Sequence, residues 1–279
     1  MNTVTYSGTP LLYTEGSSSG FTSTWSEKTW NGFSSIYGTY VWTDGTNIYY
    51  SDGSSQYVLD VSTSTWAAKT WNGLTSYEGH YVWTDGTNIY YSINTDQYIL
   101  DVSTSTWEAK TWNGLTSFNG GNVWTNGTNI YYSSKTVQYV LDVSTSTWTT
   151  KTWSGLSSFY GSYVWKEGAN IYYSYGKTQR QLNVSTSTWE AKTWNGLTSF
   201  DGYYVWTDGT NIYFSRPNGA QQQLNVSTST WNEKTWTGIS YPGANNVWTD
   251  NENIYYSSGG SQYVLNKAAP LSYAIYYNT

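Results

Sequence analysis

Residues 40–71 read YVWTDGTNIYYSDGSSQYVLDVSTSTWAAKTW, and close copies of this stretch recur along the whole chain. Each copy opens with a Val-Trp pair, and the step between successive pairs is 41 residues four times and 42 residues once. Two further tryptophans mark each copy, one after Ser-Thr and one after Lys-Thr, so three sets of six account for all 18 tryptophans. A fixed period of this size is the signature of a repeat architecture.

Each copy contains four short strand patterns separated by turn residues. In the first copy they are residues 40–42, 47–50, 56–61 and 66–71. An Asp-Gly pair joins the first two and predicts a two-residue hairpin turn with positive φ at both positions. A Ser-Thr-Ser-Thr run joins the last two, and its short hydroxyl side chains favour a turn. No segment has the periodicity of an amphipathic helix, so the chain is predicted to be all-β.

These strands carry large side chains on both faces. Val41 and Trp42 are adjacent and must point to opposite sides, as must Tyr49 and Tyr50. A small antiparallel sheet of this kind needs cover on both faces, which radial stacking of four-stranded sheets provides. The pattern therefore predicts a β-propeller, with one lysine per copy protecting the outer edge of its fourth strand.

The two ends of the repeat pattern complement each other. The pattern starts with a fourth strand at residues 25–30 and ends with a third strand at residues 262–266. We therefore predict a six-bladed β-propeller of four-stranded antiparallel blades, closed by an N-terminal strand that completes the last blade. A single domain is expected over residues 1–279, with irregular terminal segments at 1–19 and 267–279. The alternative is that these segments pair with each other or form a seventh blade.

The amino-acid composition restricts the kinds of partner that the chain is expected to bind. The net charge is −6 and the sequence pI is about 4.7, which argues against nucleic-acid binding through clustered Lys and Arg. There is no cysteine, and therefore no disulfide framework. Neither a signal-peptide pattern nor an apolar stretch of membrane-spanning length is visible. We expect no nucleic-acid partner and no membrane insertion; cytoplasmic and virion-associated locations both fit.

The order of features in each copy resembles a kelch repeat. The Val-Trp strand, glycine hairpin and Ile-Tyr-Tyr strand are similar to the first two strands of that family. The sequences YVLD at residues 57–60 and STW at residues 64–66 match its tyrosine and spaced tryptophan. The glycine doublet of the family survives only at residues 259–260. The resemblance implies a propeller that serves as a partner-binding module.

Comparison of the copies separates two faces of the predicted ring. The hairpin between strands one and two and the Ser-Thr-Ser-Thr turn barely vary; we call their side the constant face. The connections after strand four and between strands two and three vary freely and are expected to emerge together on the opposite side, the variable face. Loops on a rigid scaffold often bind, so a recognition face is predicted, and relaxed drift is the alternative. The candidate binding residues are Tyr37, Glu78, His80, Asn119, Tyr160, Tyr175, Asp201, Tyr203 and Arg216.

Metal binding and catalysis find little support in the sequence. His80 is the single histidine, and hairpin carboxylates such as Asp44 stand where the turn itself requires Asp or Asn. Glu78 and Asp201 offer the one pair of carboxylates for glycoside hydrolysis, if they share a face. We expect no catalytic residues, no metal and no cofactor.

The sequence thus predicts a non-catalytic propeller that binds another protein or joins a larger assembly. Near-identical copies rich in Ser, Thr, Tyr and Trp suggest a bacterial or phage surface or tail protein. The alternative is a multivalent glycan-binding lectin, because exposed tyrosines stack on sugar rings and repetition gives avidity. A glycoside hydrolase that uses Glu78 and Asp201 is the third hypothesis.

Overall fold

Aromatic and β-branched residues form most of each strand, and Gly, Asn, Asp and Ser are frequent in the turns between strands. The computed structural model describes residues 2–6, 9–13 and 20–268 and contains six four-stranded antiparallel blades arranged as a propeller. In this part of the chain there is no α-helix, only six short 3-10 turns. The predicted six-bladed propeller is confirmed, including its closure by an N-terminal strand.

The blades follow the order of the chain. Blades one and two consist of Val41–Thr43, Ile48–Asp52, Ser55–Asp60 and Thr65–Ala68, then Val82–Thr84, Ile89–Ile93, Asp96–Asp101 and Thr106–Ala109. Blades three and four consist of Val123–Thr125, Ile130–Lys135, Val137–Asp142 and Thr147–Thr150, then Val164–Glu167, Asn170–Tyr175, Thr178–Asn183 and Thr188–Ala191. Blades five and six consist of Val205–Thr207, Ile212–Ser215, Gln221–Asn225 and Thr230–Glu233, then Val247–Thr249, Ile254–Gly259, Ser261–Lys267 and Phe21–Glu27.

Blade six joins the two ends of the repeat pattern. Phe21–Glu27 pairs antiparallel with Ser261–Lys267, with Trp25 opposite Leu265. The strand begins before the predicted residue 25 and ends before Trp30. In every blade the fourth strand stops two residues after its first tryptophan, so the Lys-Thr-Trp segment lies outside the strand where the sequence placed it inside.

That segment links each blade to the next. Asn72 donates its amide to the Ser105 carbonyl at 3.0 Å, and the Trp107 amide returns a bond to the Asn72 carbonyl at 2.9 Å. Lys69 donates its Nζ to Ser105 Oγ at 2.6 Å and lies 4.6 Å from the Trp71 ring centroid. The prediction that this lysine protects a strand edge is therefore wrong: it ties neighbouring blades together. The same bond from Lys234 to Ser23, also 2.6 Å, closes the ring.

Each blade is covered by a neighbour on both faces, as the pattern predicted. Trp42 and Tyr49 of blade one pack with Trp107 of blade two, whereas Val41 and Tyr50 lie in the cluster shared with blade six. Every Val-Trp indole donates its Nε1 to a buried serine of the second strand at 2.9 Å. These pairs are Trp42–Ser51, Trp83–Ser92, Trp124–Ser133, Trp165–Ser174, Trp206–Ser215 and Trp248–Ser257.

The Asp-Gly hairpin differs from the predicted two-residue turn. In blade two the loop covers residues 85–88, and Gly86 alone has positive φ, at 93°. Asp85 accepts the amides of Thr87 and Asn88 and the hydroxyl of Tyr90. Burial by itself would raise the pKa of Asp85, but these hydrogen bonds outweigh it and lower the pKa. The hairpin carboxylate therefore holds the turn together.

The N-terminal strands Asn2–Tyr6 and Thr9–Tyr13 pair with each other as a separate two-stranded sheet. Their backbone lies against the first strands of blades one, two and four rather than forming part of a seventh blade. The predicted Ile-Tyr-Tyr-like segment at residues 272–278 lies outside the described residues.

Candidate functional site on the variable face

Six 3-10 turns surround the centre of the variable face. Each turn precedes the first strand of a blade and contacts the turns on either side, so the six form a closed ring. A Cβ added at Gly79 would lie 2.2 Å from the Tyr40 carbonyl oxygen, so these turns meet backbone to backbone. The turns are Gly38–Tyr40, Gly79–Tyr81, Gly120–Asn122, Gly161–Tyr163, Gly202–Tyr204 and Ala244–Asn246.

The two variable connections meet at the junction between blades. The amide of Tyr77 donates to the Gly53 carbonyl at 3.0 Å, which joins the connection entering blade two to the turn in blade one. The Asn119 side chain accepts the Asn94 amide at 3.0 Å, and the Asp201 carboxylate accepts the Gly176 amide at 2.9 Å. The connections therefore do emerge on one face, and two candidate binding residues also hold the junctions.

His80 and Glu78 lie together at the 3-10 turn that enters blade two. His80 Nδ1 is 3.4 Å from Glu78 Oε2, and its ring lies 3.8 Å from Tyr81 and 5.4 Å from Tyr40, centroid to centroid. Burial lowers the pKa of His80 to about 4, against a smaller opposing effect of Asp52. His80 is thus uncharged at neutral pH, and its contact with Glu78 is not an ion pair there.

Tyrosines cluster on blade four. The Tyr175 ring is 51% exposed and lies 4.8 Å from the ring of Tyr163, which is the last residue of its 3-10 turn. Tyr160 meets the same ring edge-on at 6.3 Å. The result is a stepped aromatic surface with an exposed tyrosine at its outer end.

Blade five presents a charged pair over aromatic rings. Arg216 Nη2 lies 3.3 Å from Asp201 Oδ2, and its guanidinium lies 5.8 Å from the ring centroids of Tyr204 and Phe214. Because Arg216 is about half exposed, the pair adds little stability and leaves donors available to a partner. The Tyr203 ring lies 5.2 Å from that of Tyr204.

Tyr37 lies at the junction of blades six and one. It is 43% exposed, and its short strand, Ile36–Tyr37, pairs with Ser258 and Gly259 of blade six. A second short strand, Phe159–Tyr160, makes the same pairing with blade three.

Glu78 and Asp201 do not come together. Their 3-10 turns are three steps apart in a ring of six, which is the largest separation the ring allows. Among residues 20–268, no three His, Cys, Asp or Glu side chains are grouped so that they would hold a metal ion. The described residues also contain no helix long and apolar enough to cross a membrane.

Sequence reasoning missed the tyrosines beneath the candidate residues. Tyr40, Tyr163 and Tyr204 end their 3-10 turns and provide the rings on which His80, Tyr175 and Arg216 lie. A tyrosine directly before the Val-Trp pair in four of the six copies was the available signal. Sequence reasoning also missed a cleft at the outer edge of blade five, between the turn of residues 216–220 and the connection into blade six.

No protein family and no curated protein matches the chain by sequence. Among solved structures, the chain is similar to the extracellular domain of BT3049, a putative hybrid two-component system of B. thetaiotaomicron, with a TM-score of 0.52 and 14% identity over 94% of this chain. It is also similar to the extracellular domain of BT4673 of the same organism, with a TM-score of 0.50 and 8% identity over 81% of this chain. The chain spans 36% and 33% of those two proteins' chains, and the likeness establishes the shared propeller fold.

Proposed function

We propose that this chain is a non-catalytic binding module whose variable face recognises another protein. The observation that carries the proposal is the division between the faces. Side chains that differ from copy to copy lie on one face of the ring, while the lysine–serine bonds between blades recur at every junction. An asymmetric partner requires different groups at each blade, whereas a scaffold alone requires none of this variety.

The exposed groups suit a protein partner. Tyr37 and Tyr175 are large, exposed and held by neighbouring rings, and Arg216 is held over two aromatic rings. Tyrosine and arginine are enriched among the residues that dominate binding energy at protein interfaces. Rings fixed in place before binding lose little side-chain entropy when the partner docks.

Two further features belong to the proposal. The order of strands, hairpin and spaced tryptophans supports a relationship to kelch repeats and a single propeller domain over residues 1–279. The similar structures are extracellular domains of putative two-component systems, which supports recognition of a ligand or protein by this chain. Membership of a bacterial or phage assembly, and a cytoplasmic or virion-associated location, stay predictions from composition and sequence.

The multivalent lectin is the weaker alternative. Its equivalent sites would need tyrosines in equivalent surroundings at most blades. Only Tyr37 and Tyr160 share theirs among the candidate tyrosines, whereas Tyr175 lies on Tyr163 and Tyr203 beside Tyr204. A glycan array distinguishes the two functions, because repeated sites would bind a dense glycan surface with high avidity.

Site-specific photo-crosslinking tests the proposal. A photoreactive residue at Tyr175 or Arg216 is expected to capture one discrete protein in the cells of origin. The same residue at Thr63 or Thr145, on the constant face, is the control and should capture none.

Purified partner then provides the quantitative test. Alanine at Tyr37, Tyr175 or Arg216 should weaken binding at least tenfold, because an interface anchor contributes about 2 kcal/mol or more. The melting temperature should change little, since exposed substitutions usually shift stability by less than about 0.5 kcal/mol. Binding lost only through the Thr63 and Thr145 substitutions would place the interface on the opposite face.

A further inference from the structure

The outer edge of blade five differs from that of every other blade. Its turn between the second and third strands, residues 216–220, contains the one-residue insertion. Gln222 occupies the position held by Tyr98 in blade two, and Tyr241 stands where the other five copies carry a serine such as Ser117. Three departures from the repeat thus fall in one neighbourhood.

These departures enclose a cleft of about 530 Å³. Its walls are the lengthened turn, the third and fourth strands of blade five and the connection into blade six. Five of the polar side chains that line it make no hydrogen bond or ion pair within residues 20–268, whereas Gln221 and Lys234 do. Those side chains belong to Asn218, Gln222, Glu233, Ser240 and Tyr241. Tyr241 is 51% exposed.

The groups that line the cleft are suited to bind a neutral, hydroxyl-rich ligand. Gln222 and Glu233 are directly paired across the ladder, so an amide and a carboxylate project side by side. Lys234 also lines the cleft, but its Nζ donates to Ser23 Oγ and lies over the Trp236 ring. Glu233 is therefore the one charged lining group without a partner among the described residues, and it would repel an anion.

Amides both donate and accept hydrogen bonds, and a carboxylate accepts them from hydroxyl groups. An exposed tyrosine ring offers an apolar surface to the C–H face of a ring-shaped ligand while its hydroxyl remains polar. Small-ligand sites typically have an aromatic wall and a small number of polar groups that point towards the ligand. A single carboxylate is too few ligands for a metal ion.

We propose that this cleft binds one neutral saccharide unit. The site is more specific than the recognition face: two of its walls belong to connections that emerge on that face, but it lies at the outer edge of one blade and does not recur around the ring.

The test uses a variant that returns the site to the sequence of the other copies. In the double variant Gln222→Tyr, Tyr241→Ser, both new residues already occupy these positions elsewhere in the ring, so the fold is retained. Calorimetric titration uses the methyl glycosides of glucose, galactose, mannose and N-acetylglucosamine. At least one glycoside should bind the full chain with one-to-one stoichiometry, and the double variant should weaken that binding at least tenfold.

Glu233→Gln preserves the shape of the cleft and should weaken binding severalfold through loss of the carboxylate. Tyr175→Ala, on blade four, is the control and should leave the titration unchanged. If no glycoside binds the full chain, or if the double variant binds as well as the original, the proposal is wrong. Neither result bears on the crosslinking at the variable face, so the two proposals fail separately.

Discussion

The constant face and the variable face join the blades in different ways within the same repeat. On the constant face, side chains such as Lys69 and Ser105 bond one blade to the next, and these bonds recur at all six junctions. On the variable face the 3-10 turns meet through their backbones, and a glycine or alanine starts each turn. Side chains there are free to differ because the ring does not depend on them, which is why recognition can be built on one face without loss of closure.

The separation is incomplete at two positions. Asn119 and Asp201 are variable in sequence, but each accepts a backbone amide from the preceding blade. Their counterparts Glu78 and Tyr160 make no such bond within the described residues. Substitution of Asn119 or Asp201 therefore mixes stability with binding, and the exposed residues Tyr175 and Tyr37 are cleaner probes of recognition.

The largest expected effect is loss of closure. Deletion of residues 1–30 removes the outer strand of blade six together with the buried Trp25 and Trp30. We expect the cooperative melting transition to disappear, because a domain is stabilised by only about 5–15 kcal/mol in total. Deletion of residues 1–19 keeps Phe21–Glu27 and should preserve the transition. A 1–30 deletion that melts within a degree or two of the full chain would mean that the ring does not need this strand.

Two glycines of the same copy compare the faces directly. Gly114 has φ of 82°, and an added Cβ would lie 2.1 Å from the Trp148 carbonyl oxygen. Gly121, on the variable face, has no positive φ, and its nearest neighbour would lie 3.4 Å away. Gly114→Ala should destabilise by about 2–4 kcal/mol, whereas Gly121→Ala should change stability by less than about 0.5 kcal/mol. Chemical denaturation measures both, and equal effects would remove the distinction between the faces.

His80 gives the variable face a dependence on pH. Burial depresses the pKa of His80 to about 4, so protons bind more readily to the unfolded chain, where the pKa is about 6.5. The stabilising contribution is complete above pH 6.5 and is lost as the pH falls towards 4, by an amount on the order of 1–2 kcal/mol. His80→Ser, which copies Ser162 of blade four, should melt with a shallower pH dependence in this window. Parallel curves for the two proteins would show that His80 is not buried as described.

The smallest effect on stability is expected from a substitution of Tyr77, a buried residue that lies between the two faces. Tyr77 is 2% exposed, and its hydroxyl has no hydrogen-bond partner among residues 20–268. Blades three to five carry Phe118, Phe159 and Phe200 at this position. Tyr77→Phe should therefore leave stability unchanged or raise it by up to about 1 kcal/mol, because it removes an unsatisfied polar group. A clear loss of melting temperature would reveal a bond from this hydroxyl.

Periodicity was enough to predict the ring, but it did not locate the end of each fourth strand. The spacing of the tryptophans and the split last copy specify six blades and their closure without knowledge of any contact. The Lys-Thr-Trp segment reads as a continuation of the strand because it is equally rich in strand-forming residues. Its backbone leaves the sheet since Asn72 bonds to the neighbouring blade, a contact that appears only once two copies lie side by side.

Comparison of the copies located the variable face but not its pairings. Tyr175 meets Tyr163 within one blade, whereas Arg216 of blade five meets Asp201, a residue of the connection entering that blade. Such contacts depend on the distance between strands and connections, which the repeat pattern does not encode. The cleft of blade five is a similar case, since Gln222 and Tyr241 are far enough apart in sequence to look unrelated.

The pairing of Phe21–Glu27 with Ser261–Lys267 also has a consequence for biosynthesis. The first of these strands leaves the ribosome long before its partner is made. At about 5–20 residues per second, the interval is roughly 10–50 s. During that time Trp25 has no neighbouring strand, and the growing chain presents an open sheet edge at each end. Five blades can form in order as they emerge, but the sixth junction waits for Ser261–Lys267, so the ring cannot close before the last repeat has been made.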